Sequence, residues 1–309
     1  PGAGIASLST YMEASFPNRE SHTILGSIFL NPSVAAGVAF GSGGTQLRKG
    51  PSYTERALFA RVLEDGKGVE LVNTLGLSAL DGTKENEREM VSTLDSIFFG
   101  DNSKSSDHNS LQSSAQDEHG SSPAHMTTYK EDVCTFDDSV SRHNADISGP
   151  CDANRSEGKV LILATVHDTF PKSAKPIKTF WLSFESLEMA LAFRKEVALE
   201  NPADLPSSME YMDRDAFDVV NESGRILCHM TRLLGVGDRM AQLWNLKLFI
   251  ETLPIPGSDI ICDFALHTFN NLFPKPLPQR IMEVNKAMDH HIMMEVGEYS
   301  ENGQERFLS

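Results

Sequence analysis

The chain has 309 residues, a formal net charge of −16 and a sequence pI of about 5.0. That length suits two domains, or one domain with a large insertion. The acidity argues against a general phosphate-backbone binder and against broad adhesion to anionic lipid, both of which need a basic face.

Apolar residues make up 40% of the chain, enough for a packed core. No stretch reaches the roughly 18–20 consecutive apolar residues of a membrane span. The four cysteines, Cys134, Cys151, Cys228 and Cys262, form no C-x-x-C and have no histidine at zinc-like spacing. Structural disulfides and zinc are therefore not expected, and a reducing interior fits best. The first residues have no signal-peptide layout.

In chain order, Ile5 to Phe16 reads as a short amphipathic helix with Ile5, Leu8, Met12 and Phe16 on one face. A chain that opens on the turn Pro1-Gly2-Ala3-Gly4 looks cut from something longer. His22 to Pro51 follows, HTILGSIFLNPSVAAGVAFGSGGTQLRKGP, with six glycines at 26, 37, 41, 43, 44 and 50. Apolar residues such as Ile24, Leu25, Ile28, Phe29, Val34, Val38 and Phe40 interleave with them, a load no solvated linker carries. The expectation is a buried, turn-rich segment whose amides face a large ligand.

Tyr53 to Glu64 reads as a strand and Val69 to Asn73 as its partner, joined by Asp65-Gly66-Lys67-Gly68. Lys84 to Phe99 reads as a charged helix ending at Gly100. Residues 101–155 are polar and predict a disordered insertion or a long surface loop. His108, His119, His125 and His143 are scattered through it without ligand periodicity, so no metal site is expected and no role is assigned to them. Val160 to Val166 is an aliphatic, β-branched run that predicts a strand buried on both faces.

Lys178 to Ser183 reads as a strand, Glu185 to Glu200 as a helix presenting Met189, Ala190, Phe193 and Val197, and Ser208 to Met212 as a second strand. This unit suits an α+β layer. Ile226 to Leu253 looks helical, interrupted at Gly235 and Gly237, with Arg225, Arg232 and Arg239 seven apart for one face. That face is either a lipid-headgroup contact or a solvated surface. Leu272 to Pro278 is a rigid connector, Arg280 to Asp289 a helix, and His290 to Val296 a strand.

Several of these segments also resemble one family. HTILGS, PSVAAGVAFGSGGTQLRKGPSYTERALFAR, the E-Y-M-x-R-D at Glu210 to Asp215, and the L-F-P-x-x-L-P followed by His290-His291 resemble the membrane-associated, FAD-linked, quinone-dependent D-lactate dehydrogenases. Ser156-Glu157-Gly158 before an aliphatic strand is a weaker match to the wider group typified by para-cresol methylhydroxylase. The family's Asn-Ser-Gly-Gly turn is Gly41-Ser42-Gly43-Gly44 here, and ADISGPCDANR departs from the family's A-D-P-D-R-L-F.

The resemblance implies an α+β fold: the C-terminal part of a para-cresol methylhydroxylase-type FAD-binding domain, then an α+β cap carrying a helical insertion. The expected parts are a partial FAD-binding domain at 1–168, cap segments at 169–212 and 290–309, and a membrane-binding-like insertion at 213–289. The implied activity is oxidation of D-lactate to pyruvate with electrons passed to a quinone. The alternatives are another FAD-linked 2-hydroxy-acid or alcohol oxidase, or a non-catalytic truncated remnant.

Carried over position by position, the FAD contacts fall at Gly26, Ser33, Gly43 and Ile162. His290, His291 and Arg214 are candidates for a base and a carboxylate clamp, and no catalytic residue is assigned. The expected localisation is intracellular: peripheral to the inner or cytoplasmic membrane, or soluble in cytoplasm or mitochondrion. The family's membrane-binding segment is electropositive. Residues 213–289 hold eight Lys/Arg against ten Asp/Glu, which sets this chain apart.

Overall fold

The computed structural model describes residues 2–22, 32–43, 45–76, 122–136, 152–235, 238–254, 257–300 and 303–307. The predicted helix at Lys84 to Phe99 lies outside them. The described residues form a mixed helix-and-sheet structure, consistent with the α+β class.

Helix α1 spans Ile5–Ser15 and buries Ile5 and Met12, whereas Phe16 lies past its end and is exposed. Within the glycine-rich stretch the structure departs from a purely turn-rich segment. Val34–Ala39 is a short helix, α2, because Ser33 caps it by accepting from the Ala36 N–H at 3.1 Å. Gly37 sits on its buried side, where a Cβ would meet Ser52 Oγ at 3.0 Å. Loss of the side chain lets the helix pack closely, and this outweighs glycine's weak helix propensity.

Strands β2 (Ala57–Val62), β3 (Val69–Asn73) and β4 (Val160–Thr165) form an antiparallel sheet in the order β3-β2-β4. The β2–β3 hairpin turns at Gly66, with φ 67°, where Asp65 Oδ1 accepts from the Lys67 N–H at 2.9 Å. Strand β4 is not buried on both faces. Ile162 and Ala164 are buried, while Leu161 is exposed, because no layer covers that side among the described residues. Val38 and Ala39 of α2 pack with Phe59 and Ile162 over the inner face.

The polar segment 101–155 is not uniformly irregular. Tyr129–Val133 forms helix α3, and Tyr129 and Val133 are buried in the same core as Leu47 and Ile292. Gly50, with φ +73°, brings its backbone against the Tyr129 ring. A short pairing of β1 (Arg19–Glu20) with β5 (Phe170–Pro171) links the first sheet's surroundings to the second sheet.

The second sheet has the order β6-β8-β7, all antiparallel: Lys178–Phe184, His290–Val296 and Ser208–Asp213. Ile292, Met294 and Val296 alternate onto one buried face, as a period of two demands. Helix α4 (Leu187–Phe193) and the π-helical turn Arg194–Ala198 cover that face through Ala190, Ala198 and Leu199. Met189 and Val197, predicted to share the inner face, are exposed because the π turn adds a residue and rotates the helix.

Helices α5 (Arg214–Ser223) and α9 (Gln279–Ala287) cover the other face at Phe217 and Asn285. Between them in sequence, α6 (Arg225–Leu234), α7 (Asp238–Glu251) and α8 (Ser258–Asn270) pack against one another. Asp213 caps α5 by accepting from the Ala216 N–H. Gly235, with φ 75°, ends α6. Arg225 and Arg232 therefore lie on one helix and Arg239 on the next, so the three arginines share no single helix face.

A paired-histidine cavity as candidate functional site

A cavity of about 300 Å³ opens between α1, the start of α2 and the end of β4. Its walls include Met12, His22, Val34, Ala164 and His167. Strand β4 places His167 because the chain leaves the sheet after Thr165, and Thr165 Oγ1 lies 3.1 Å from His167 Nε2. The β1–β5 pairing brings Ser21 and His22 to the same place.

The two imidazoles stack with centroids 4.2 Å apart and planes 18° from parallel. Burial lowers the His22 pKa from 6.5 to about 4, with Lys49 adding repulsion. Burial also lowers the His167 pKa to about 3, with His22 adding to it. Lys49 is itself held by Glu20 at 3.0 Å. Both rings are therefore neutral at neutral pH. Nδ1 of each is buried and has no hydrogen-bond partner. A neutral imidazole nitrogen donates or accepts according to tautomer, so the pair presents two uncharged polar atoms in an otherwise largely apolar pocket. Such atoms are costly to leave unsatisfied and mark a place built for a polar ligand atom.

The sequence-derived flavin positions fall in different places. Ser33 directly precedes the lining residue Val34. Its oxygen accepts the α2 cap bond, which leaves its own hydrogen for another acceptor. Ile162 is buried in β4, two residues before the lining residue Ala164. Gly43 is exposed and near only Pro51, 3.7 Å from where a Cβ would be. Gly26 lies outside the described residues.

His22 and His167 had no place among the sequence candidates. Their signal, a histidine at each end of two segments that meet only in the fold, is not periodic. His125 is not inert either: its Nδ1 lies 2.6 Å from Oδ2 of Asp168, another cavity residue.

The candidates in the second sheet have structural roles. His291 is fully buried, with Nδ1 2.9 Å from Ser183 Oγ and Nε2 2.7 Å from Asn285 Oδ1. Trp181 and Phe217 pack on its ring. It cannot reach a substrate. His290, on the other face, lies 2.6 Å from the Tyr211 hydroxyl. Arg214 donates to the carbonyls of Asn285 and Lys286 and pairs with Asp289 at 2.6 Å. It holds the C-terminal end of α9, where a cation is favoured, rather than a substrate carboxylate.

Residues 179–309 match the family model described as D-lactate dehydrogenase, membrane binding. A quinone-dependent D-lactate dehydrogenase of Corynebacterium glutamicum is 32% identical over 295 residues, covering 94% of this chain and 48% of that protein. The protein of the same name from Escherichia coli is 30% identical over 301 residues, 96% of this chain and 48% of the relative. That from Haemophilus influenzae is 28% identical over 286 residues, 90% of this chain and 46% of the relative. The chain is a relative of the quinone-dependent D-lactate dehydrogenases. It spans about half the length of the curated relatives it matches. The likeness to these D-lactate dehydrogenases runs through both the glycine-rich stretch and the second sheet, so it is not confined to the membrane-binding region. No described helix is long and apolar enough to cross a membrane.

Proposed function

We propose that this chain is part of an FAD-dependent D-lactate dehydrogenase that oxidises D-lactate to pyruvate and passes electrons to a quinone at a membrane surface. The observation that carries it is 32% identity to a quinone-dependent D-lactate dehydrogenase across 94% of the chain. In this reading residues 1–168 belong to a para-cresol methylhydroxylase-type FAD-binding domain. Residues 169–212 and 290–309 form the cap, and 213–289 the membrane-contacting insertion.

The paired-histidine cavity fits a portion of such a cofactor, because it joins an apolar wall to two orphaned ring nitrogens. FAD, when bound, accepts the hydride from C2 of the 2-hydroxy acid. This chain's residues hold and orient. Ser33 offers its hydroxyl hydrogen, Gly26 and Gly43 allow close backbone approach, and Ile162 supports the wall from β4. His22 and His167 offer hydrogen bonds without charge, which suits a site that excludes water. Val34, Ala35 and Met12 exclude solvent from the same pocket.

The test uses the full-length protein that carries these residues. Purified protein is expected to be yellow and to reduce a soluble quinone analogue with D-lactate much faster than with L-lactate. A colourless protein, or one that oxidises a different alcohol class preferentially, overturns the reading. Loss of bound flavin in His167→Leu with retained fold is the expected signature of the cavity's part.

A further inference from the structure

We propose that α7 and α8 attach the protein by inserting apolar side chains into the acyl-chain layer of a bilayer, without requiring anionic headgroups. This rests on the membrane-contact reading of 213–289 and specifies its chemistry.

The first support is where the apolar residues lie. Leu243 and Ile250 of α7 and Leu266 and Phe269 of α8 line an open groove of about 500 Å³ against α6. Other apolar side chains of the same two helices are outside that groove and exposed: Phe249 at 62%, Ile260 at 70% and Phe264 at 69%. A helix that is apolar on more than one side belongs in a large core or against lipid. Neither helix is surrounded by a core: among the described residues, α7 and α8 pack on each other and on α6. At 14 and 13 residues they are too short to span a bilayer, so they lie along it.

The second support is charge. Residues 213–289 hold eight Lys/Arg and ten Asp/Glu. Four of the eight cations are tied to carboxylates: Arg214 to Asp289, Arg225 and Lys275 to Glu222, and Lys247 to Glu251 and Asp263. A surface of this kind gains little from an anionic leaflet, whose attraction scales with unpaired basic residues. The free energy of attachment then comes from apolar burial, which salt does not screen. The match of 179–309 to a membrane-binding family model places this face in a region of that character.

The experiment is vesicle co-sedimentation of the full-length protein. Phosphatidylcholine vesicles are compared with phosphatidylglycerol vesicles, each at low and high salt. The expected result is comparable binding to both, retained at high salt. Binding confined to phosphatidylglycerol and released by salt overturns the apolar mode while leaving membrane contact standing. No binding to either vesicle overturns both; concentration-dependent self-association in that case identifies a second copy as the occupant, and a monodisperse protein identifies coverage by its own chain. Ile260→Asp with Phe264→Asp is expected to lower partition into phosphatidylcholine by about tenfold or more, since two apolar contacts are lost. Circular dichroism and D-lactate turnover with a soluble acceptor are expected to stay unchanged, because both side chains are already exposed. Unchanged partition in that folded variant overturns the assignment of the contact to α8.

Discussion

Asn154 holds the backbone of Thr54 at both ends: Oδ1 accepts from the Thr54 N–H at 3.0 Å and Nδ2 donates to the Thr54 carbonyl at 2.7 Å. Both residues are buried. The pair fixes the entry to β2 against the chain that leads into β4. Replacing Asn154 with Leu removes two hydrogen bonds and leaves two backbone groups dry and unpaired. The expected cost is about 2–4 kcal/mol, from the usual penalty per orphaned buried group. A urea-denaturation midpoint equal to that of the parent protein would count against this account.

The paired histidines predict an acid-sensitive fold. Both folded-state pKa values lie below the ordinary 6.5, at about 4 for His22 and about 3 for His167. As pH falls below about 6.5 the unfolded chain takes up these protons first, so folding stability is lost from there down towards the folded values. Above about 6.5 the pair adds no pH dependence. The loss reaches at most about 1.4 kcal/mol per pH unit for each histidine. His291, lowered by burial in the same direction, adds to the slope. Lys49 opposes protonation of His22, while Asp168 is occupied by His125. Urea midpoints measured between pH 7.5 and 4.5 (order-of-magnitude bounds of the window) are expected to fall, and His167→Gln to flatten the fall. A flat profile in the parent refutes the burial of neutral rings.

Two glycines in one stretch predict opposite phenotypes. At Gly37 a Cβ would meet Ser52 Oγ at 3.0 Å and Cβ at 3.2 Å, so Gly37→Val forces α2 off the sheet and is expected to destabilise by about 1–3 kcal/mol. At Gly43 only Pro51 is near, at 3.7 Å. Gly43→Val is therefore expected to leave the melting temperature nearly unchanged and to lower flavin content in the full-length protein. Equal melting temperatures for the two variants would remove the distinction.

His291 joins three elements through Ser183, Asn285 and the rings of Trp181 and Phe217. His291→Leu strands the Ser183 and Asn285 side chains and is expected to cost about 1–3 kcal/mol per group left unpaired. Turnover per folded molecule is expected to persist. A variant that folds as well as the parent but has lost turnover would return His291 to the list of bases.

Much of the framework was legible because it is local. The β2–β3 hairpin is spelled by Asp65-Gly66 between apolar runs, and β8 by the apolar run after His290-His291. What failed was tertiary. The helix at Val34–Ala39 exists because Ser33 caps it and Gly37 can pack closely, which propensity does not weigh. The π turn at Arg194–Ala198 re-aims the residues after Phe193, so a constant helical period chose Met189 and Val197 wrongly. The ordered part of 101–155 is held by a few anchors, Tyr129, Val133 and Asn154, diluted in polar text. The histidine cavity needs residues far apart in sequence to meet, and no spacing announces that.

The order β6-β8-β7 also governs when the second sheet can form. Its central strand is the last of the three to leave the ribosome, after the whole helical segment 214–289. Until then β6 and β7 have no native neighbour between them, and Trp181 and Phe217 have no His291 to close on. Strand β8 must thread into a waiting gap, a non-local step of the kind that slows folding. Two strand edges stay open during synthesis, and a nascent chain paused before His290 is the species most exposed to chaperones and to aggregation.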